Sequence, residues 1–297
     1  MRISELDSSK TSGGGTDGTL LIALLPCVVL GVGAAGWSAV WLLACTVAAA
    51  TLTAWVSSRV GRRPMIPGSV AAGILFALTL PATVPILPAA ASMAVGSFLA
   101  WEVFGSRART FVHPAVLAYA FLTLNWPDAL GAGSAWMPTD GVADAPWSAW
   151  FVASPVAGAL GATSTLACVA GGAWLLARRA LAWRVVVAVP IGAALAVAIL
   201  GSAQPTGATP FFGHCLLGSL AFGAIFLATD PQASPRTPSG QWFHGALVGA
   251  LVPLFRLTIA ASPDGTLSAL LVASIFAPLV DHVVRVGRAR WAETTDG

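Results

Sequence analysis

Charge is what this sequence has least of: 9% of its 297 residues are Asp, Glu, Lys or Arg, against roughly 25% in an ordinary soluble domain. It holds one lysine, Lys10, and one tyrosine, Tyr119. With 57% hydrophobic residues there is too little polar sequence to cover a core with a water-facing surface, so a soluble globular enzyme is excluded. Cysteine motifs are missing as well. Cys27, Cys45, Cys168 and Cys215 form no C-x-x-C pair and fall within or at the edge of apolar runs, where they read as packing residues. His214 beside Cys215 is too small a set to hold a metal, and no metal site is expected. No G-x-G-x-x-G follows a strand, so nothing here binds a dinucleotide.

Apolar sequence is abundant, in runs that approach the roughly 20 residues needed to cross a hydrocarbon core. Ten are read, at 19–36, 38–58, 67–81, 86–104, 113–126, 152–177, 183–201, 212–229, 243–260 and 266–284, several of them cut by Gly or Pro. The expected fold class is an all-α polytopic membrane protein of about ten transmembrane helices. Residues 1–18, polar and Gly-rich, read as a flexible cytoplasmic tail, 19–284 as the transmembrane domain, and 285–297 as a second cytoplasmic tail. A cleavable leader is not expected, because Glu5, Asp7 and Asp17 separate Arg2 from the first apolar run.

The few charges are sorted by side. With both termini cytoplasmic, the inner segments hold Arg2, Lys10, Arg59, Arg62, Arg63, Arg107, Arg109, Arg178, Arg179, Arg184, Arg236, Arg285, Arg288 and Arg290. The outer loops hold Asp128, Asp140, Asp144 and Asp264 and no Lys or Arg, which sets the orientation by the positive-inside rule. The net charge of +3 is therefore a topology signal, and a nucleic-acid partner has no support. The lipid bilayer is the surrounding medium.

One pattern occurs twice. Gly73, Phe76, Thr79, Pro81 and Pro85 return as Gly223, Phe226, Thr229, Pro231 and Pro235, each displaced by 150 positions. Each copy is an apolar run that stops at a proline. The third and eighth spans are five apart and cross in opposite directions, so the halves form an inverted repeat, an arrangement in which broken helices line a path for ions or substrate. Ionisable residues inside spans or at their edges are Glu102, His113, Asp230, Arg256 and Asp281. Such groups are costly in lipid and face protein or water. Glu102, His113 and Asp281 lie near cytoplasmic helix ends, within reach of headgroup water. Arg256, flanked by Phe255 and Leu257, calls for an acid or carbonyl partner. Asp230 stands where the other copy has Leu80 and is the first candidate for ion handling; capping a helix end in headgroup water is its structural alternative. Thr79, Thr229, Asp281, Glu102 and Arg256 complete the set of ion-path candidates.

The segments Leu21 to Pro26, Gly73 to Pro85, Glu102 to Gly105, Phe111 to Ala115, Gly161 to Cys168, His214 to Gly218, Ala221 to Pro231 and Phe276 to His282 resemble, in order, the NqrB/RnfD family, whose members are membrane subunits of the sodium-translocating NADH:quinone reductase and of the Rnf ferredoxin:NAD oxidoreductase. The resemblance implies a ten-helix subunit of a bacterial inner-membrane complex that couples electron transfer to movement of sodium ions or protons. Its partners would be other membrane subunits that oxidise NADH or ferredoxin, and a quinone. It also implies FMN esterified to a Thr hydroxyl in an outer loop of pattern D-G-x-S-G-A-T.

At that loop this sequence departs from the family. The matching stretch is Asp140, Gly141, Val142, Ala143, Asp144, Ala145, Pro146, so proline replaces the acceptor threonine and no ester can form there. Covalent FMN is not expected; a flavin, FMN or riboflavin, held without a covalent bond stays open. Thr163 in Gly161-Ala162-Thr163 is a weak decoy, with Ala157 where the pattern needs Asp. Ala162 replaces a family acid, and Phe104 to Ala115 lacks two family glycines and both Asn positions. Two other readings therefore stand beside the redox subunit: a redox-independent ion or small-solute carrier or channel on the same fold, and an accessory membrane protein of a biosynthetic pathway.

Denatured protein on a gel is expected to carry no flavin fluorescence, even with a competent flavin transferase present. Replacing Ala143, Asp144 and Pro146 together by Ser, Gly and Thr should yield a labelled band, and Pro146→Thr alone little. Fluorescence of the unmodified chain that vanishes in Thr163→Ala would instead make Thr163 the acceptor.

Overall fold

The computed structural model describes residues 13–62, 64–65, 67–104, 110–130, 158–200, 219–258 and 264–295. Among these residues the ordered elements are all helical, with no strand. In hydrocarbon every backbone amide and carbonyl must be satisfied within the protein, and helices do this inside one segment. Ten α-helices lie among the described residues: α1 (Gly13–Ala35), α2 (Trp37–Val60), α3 (Ser69–Leu78), α4 (Ile86–Phe98), α5 (Pro114–Asn125), α6 (Thr165–Ala177), α7 (Trp183–Leu200), α8 (Leu220–Phe222), α9 (Pro238–Thr258) and α10 (Thr266–Thr295). A π-turn over Leu99–Val103 extends α4, and another over Gly223–Leu227 extends α8.

Among the described residues five segments are long and apolar enough to cross a membrane: Asp17–Ala35, Trp37–Val60, Ile86–Val103, Trp183–Leu200 and Thr266–Gly287. Their outward faces carry large apolar side chains, among them Val29, Trp41, Leu87, Leu195 and Leu279, the surface that lipid covers and water would not tolerate. Arg59, Arg178 and Arg184 lie over the rings of Trp55, Trp174 and Trp183 at 5.3, 5.1 and 5.0 Å. Such cation–π pairs suit a headgroup region, where an aromatic ring and a charge both find their solvent.

The repeat is visible in the packing. The pairs α2–α4, α4–α5 and α1–α3 recur as α7–α9, α9–α10 and α6–α8, and the contacts of α3 with α2 and α5 recur as contacts of α7 and α10 with the π-turn that extends α8. The equivalent helices α1 and α6 also pack on each other, as do α5 and α10, which is how a two-fold relation joins the halves. With five helices in each half, an odd number, the halves run oppositely if every helix crosses.

Boundaries differ from the apolar runs in four places. Of the sixth run, expected from residue 152, the described part begins at residue 158 and is α-helical from Thr165, where Ser164 accepts the Ala167 amide at 3.3 Å as an N-cap. The ninth helix begins at Pro238, five residues before the apolar run, because proline is suited to a first helical turn. The tenth continues to Thr295 through the stretch expected as a tail, and α1 already begins at Gly13.

The tightest seam joins α7 and α9. Gly245 and Gly249 are four residues apart on α9, and a Cβ on either would collide with the Val185 or Val189 carbonyl of α7. Small residues at this spacing let two backbones meet where lipid offers no hydrophobic drive. Gly249→Leu is expected to destabilise the protein by about 1–3 kcal/mol or more through overpacking, read as a lower thermal midpoint in detergent. Gly287→Ala, with nothing within 4 Å of the added Cβ, should leave that midpoint unchanged.

Candidate functional site

Among the described residues the buried acids gather at two ends of the bundle. One end holds the start of α5, the end of α8, the start of α9 and the middle of α10. His113 caps α5: its Nδ1 accepts the Ala115 amide at 3.1 Å, and Pro114 fills the first helical position. Since Nδ1 is an acceptor, the ring proton sits on Nε2, and Nε2 lies 3.7 Å from Asp230 Oδ2.

Asp230 follows the π-turn that ends α8 and is 8% exposed. Its Oδ1 accepts the Gln232 amide at 2.7 Å, and its carbonyl accepts the Ala233 and Ser234 amides at 3.0 Å each. Among the described residues no Lys or Arg is within ion-pair distance of this carboxylate, so while the His113 cap holds it faces a neutral N–H. Two further oxygens of the same loop, Gln232 Oε1 and Ser234 Oγ, are buried without a partner among the described residues. Oxygens grouped around an unneutralised acid suit a hard cation.

Asp281 has the opposite environment. It accepts the amides of Arg236 and Thr237 at 2.8 and 3.0 Å and the Thr237 hydroxyl at 2.6 Å, while Arg285 stands 4.0 Å away. Its carboxylate pins the start of α9 to the middle of α10. Glu102 lies in the π-turn after α4, half-buried, with no ion pair among the described residues. Thr110 closes the adjoining loop by donating to the Ala100 carbonyl at 2.9 Å.

The other end holds the two remaining candidates. Arg256 is about 27 Å along α9 from Pro238. Its Nε donates to the Asp264 carbonyl at 2.7 Å, and an Nη is 3.5 Å from Asp264 Oδ1. Asp264 also accepts the Ser219 amide at 2.9 Å and the Ser219 hydroxyl, which anchors the start of α8. This acid, read from sequence as an outer-loop charge, is 1% exposed. Thr79 ends α3 and donates to the Phe76 carbonyl at 2.6 Å, beside the Leu160 amide that bonds the Leu80 carbonyl at 2.9 Å. Thr229 likewise donates to the Ile225 carbonyl at 2.6 Å. The repeat-related threonines thus finish their own helices and do not form a joint site.

The predicted set therefore divides. Thr229, Asp230 and Asp281 belong to one neighbourhood with His113, and Thr79 and Arg256 lie toward the other end. Sequence reasoning missed two buried groups, Asp264 and His244; the Thr237-Pro238 helix start was the signal that places His244 inside a helix instead of at its edge. Cys27 and Cys168, one from each of the related helices α1 and α6, meet at 3.9 Å, and Cys168 Sγ lies 3.3 Å from the Gly161 carbonyl. Thr163, the decoy acceptor, directs its hydroxyl to the Leu160 carbonyl at 3.1 Å. Asp140, Gly141, Ala145 and Pro146 lie outside the described residues, as do His214 and Cys215. Among the described residues no three His, Cys, Asp or Glu side chains are grouped to hold a metal.

Comparison with known proteins places this architecture. The chain is 37% identical over 246 residues to the B-subunit of the Na(+)-translocating NADH-quinone reductase of Pseudomonas paraeruginosa, covering 75% of this chain and 61% of that one. It is 34% identical to the protein of the same name from Azotobacter vinelandii over 73% of this chain and 59% of that one, and 34% identical to that of Yersinia pestis over 77% and 62%. The chain spans about three fifths of the length of these relatives. A profile described as the NQR2, RnfD, RnfE family matches residues 8–289, and with nearly the whole chain covered, the protein belongs to that family.

Proposed function

We propose that this protein is the membrane subunit of an ion-translocating electron transport complex of Nqr or Rnf type, and that it carries Na+ or H+ past the end of α8. The observation that carries this reading is Asp230: a buried carboxylate beside a broken helix, with a neutral imidazole and an amide for company and no described cation to balance it. Such a group takes either a proton or a metal cation, and alternation between the loaded and empty states is what an ion-coupling site does. Asp281, held by three donors, the Arg236 and Thr237 amides and the Thr237 hydroxyl, with Arg285 beside it, shapes the loop in which Asp230 sits.

The placement is a bacterial inner membrane with both termini cytoplasmic, from the sorting of Arg residues. The chain has no nucleotide-binding motif, so partner subunits supply the oxidation of NADH or ferredoxin and quinone is the acceptor class. Any flavin in this protein is held without the family's ester link, because Pro146 has no hydroxyl. That substitution also favours a second reading, a redox-independent ion carrier on the same fold; a gene neighbourhood holding the other redox subunits would separate the two.

In membrane vesicles from cells that express the native complex, Asp230→Asn should abolish ion-coupled build-up of membrane potential, and Glu102→Gln should lower it only modestly. Equal tolerance of both changes would show that Asp230 is a helix-end cap and not an ion site.

A further inference from the structure

The α9–α10 hairpin contains a polar pair that neither the clasps at its ends nor Asp230 uses. His244 on α9 is 1% exposed and Ser274 on α10 is 0% exposed. Neither imidazole nitrogen, nor the serine hydroxyl, has a hydrogen-bond partner among the described residues. The Ala273 carbonyl lies beside the ring without completing a hydrogen bond to it.

The Thr237–Asp281 bond sets the register between the two helices, which are joined again at their other end by Arg256 and Asp264 and so run antiparallel. His244 comes seven residues after Thr237, and Ser274 seven residues before Asp281. Seven residues are two turns, about 10.5 Å, and return to within about 20° of the same face. The two side chains therefore lie at one depth, on the faces that the hairpin turns together.

Three buried polar atoms left bare would cost about 1–3 kcal/mol each. A neutral imidazole offers one donor and one acceptor, a hydroxyl one donor and two acceptors, and water two of each, so one or two waters complete the set. Among the described residues no side chain bonds to the pair in their place. On the far side of α9, helix α7 contributes Val185, Ala188 and Val189, and its one charged residue, Arg184, lies over Trp183 at the helix start. Helix α10 brings Asp281 and Arg285, both two turns or more away. Beyond the pair, Val248, Val252, Leu267 and Leu270 are fully buried and close the hairpin toward Arg256.

We propose that His244 and Ser274 enclose a hydrated proton-binding site that opens only toward the Thr237–Asp281 end. A proton from water adds to the free ring nitrogen, and loss of the proton on the other nitrogen restores the neutral ring in its second tautomer, with no electrons moved. Sodium is not the ligand, because a hard cation needs several oxygens and this pair offers one. The proposal does not depend on the role of Asp230, and its test reads His244 directly.

The test is water-edited solid-state NMR of the whole protein, 15N-labelled at histidine, in bilayers from roughly pH 3 to 9, a range that reaches well below the ordinary titration of imidazole. His244→Gln identifies the signal; if that variant does not fold, His113→Asn, His214→Gln and His282→Gln identify it by elimination. The His244 ring signal should receive magnetisation from water and change with pH. Ser274→Val should slow its exchange with D2O about tenfold by removing one hydrogen-bonding link. A ring signal that receives nothing from water and does not titrate would show a dry packing residue and overturn the proposal, and so would exchange in Ser274→Val as fast as in the wild type.

Discussion

Inside a bilayer, backbone that leaves a helix must find its hydrogen bonds within the protein, and this requirement governs the middle of the chain. Helix α3, with 10 residues, is about 15 Å long, half of a hydrocarbon core, and α8 is shorter still before its π-turn. The groups exposed by these early stops are met one by one. Leu160 donates to Leu80, Asp264 receives Ser219, and the Asp230 carbonyl receives two amides of its own turn. The seven described residues before α6, Gly158 to Ser164, include that Leu160 amide. The short eighth helix is thus the counterpart of the broken third.

The buried acids answer this demand differently. Asp264 is balanced by Arg256 and also bonds Ser219, so charge and structure are settled together. Breaking a buried pair of this kind leaves an uncompensated charge, which is far costlier than the pair itself is stabilising. Asp281 is spent on the start of α9. Asp230 alone among the three lacks a formal cation within the described residues, and it stands where the first half of the repeat has a leucine. A fold with near two-fold packing therefore carries a one-sided charge, so the halves share a scaffold without sharing a chemistry.

Most of the architecture was legible because lipid imposes a simple code. Run length, Arg placement and the displaced Gly, Phe, Thr and Pro residues yielded ten helices and a repeat, and the recurring helix pairs agree with both. The departures arose where local signals outweighed hydrophobicity: a serine cap delayed α6, and a proline start advanced α9 by more than a turn. Burial was harder to read. Asp264 looks like a solvated loop acid until Ser219, 45 residues earlier in the chain, is brought against it. His244 looks like a boundary residue until α9 is seen to begin at Pro238. Whether a charge is satisfied depends on distant partners, which local sequence does not reveal.

The glycine seam has a mechanical consequence. With the Val185 and Val189 carbonyls seated against Gly245 and Gly249, α7 and α9 have no clearance to slide, and the Asp281 and Asp264 clasps tie α10 to α9 at both ends. These three helices move as one rigid body. The α5–α10 contact between the halves is much sparser than the α7–α9 seam. Rocking of one half against the other, the movement expected of inverted repeats, would therefore pivot at the contacts between them, α1 with α6 and α5 with α10. His113 and Asp230 lie across that pivot, one at the start of α5 and the other at the end of α8, so the distance between them becomes a gauge of the stroke.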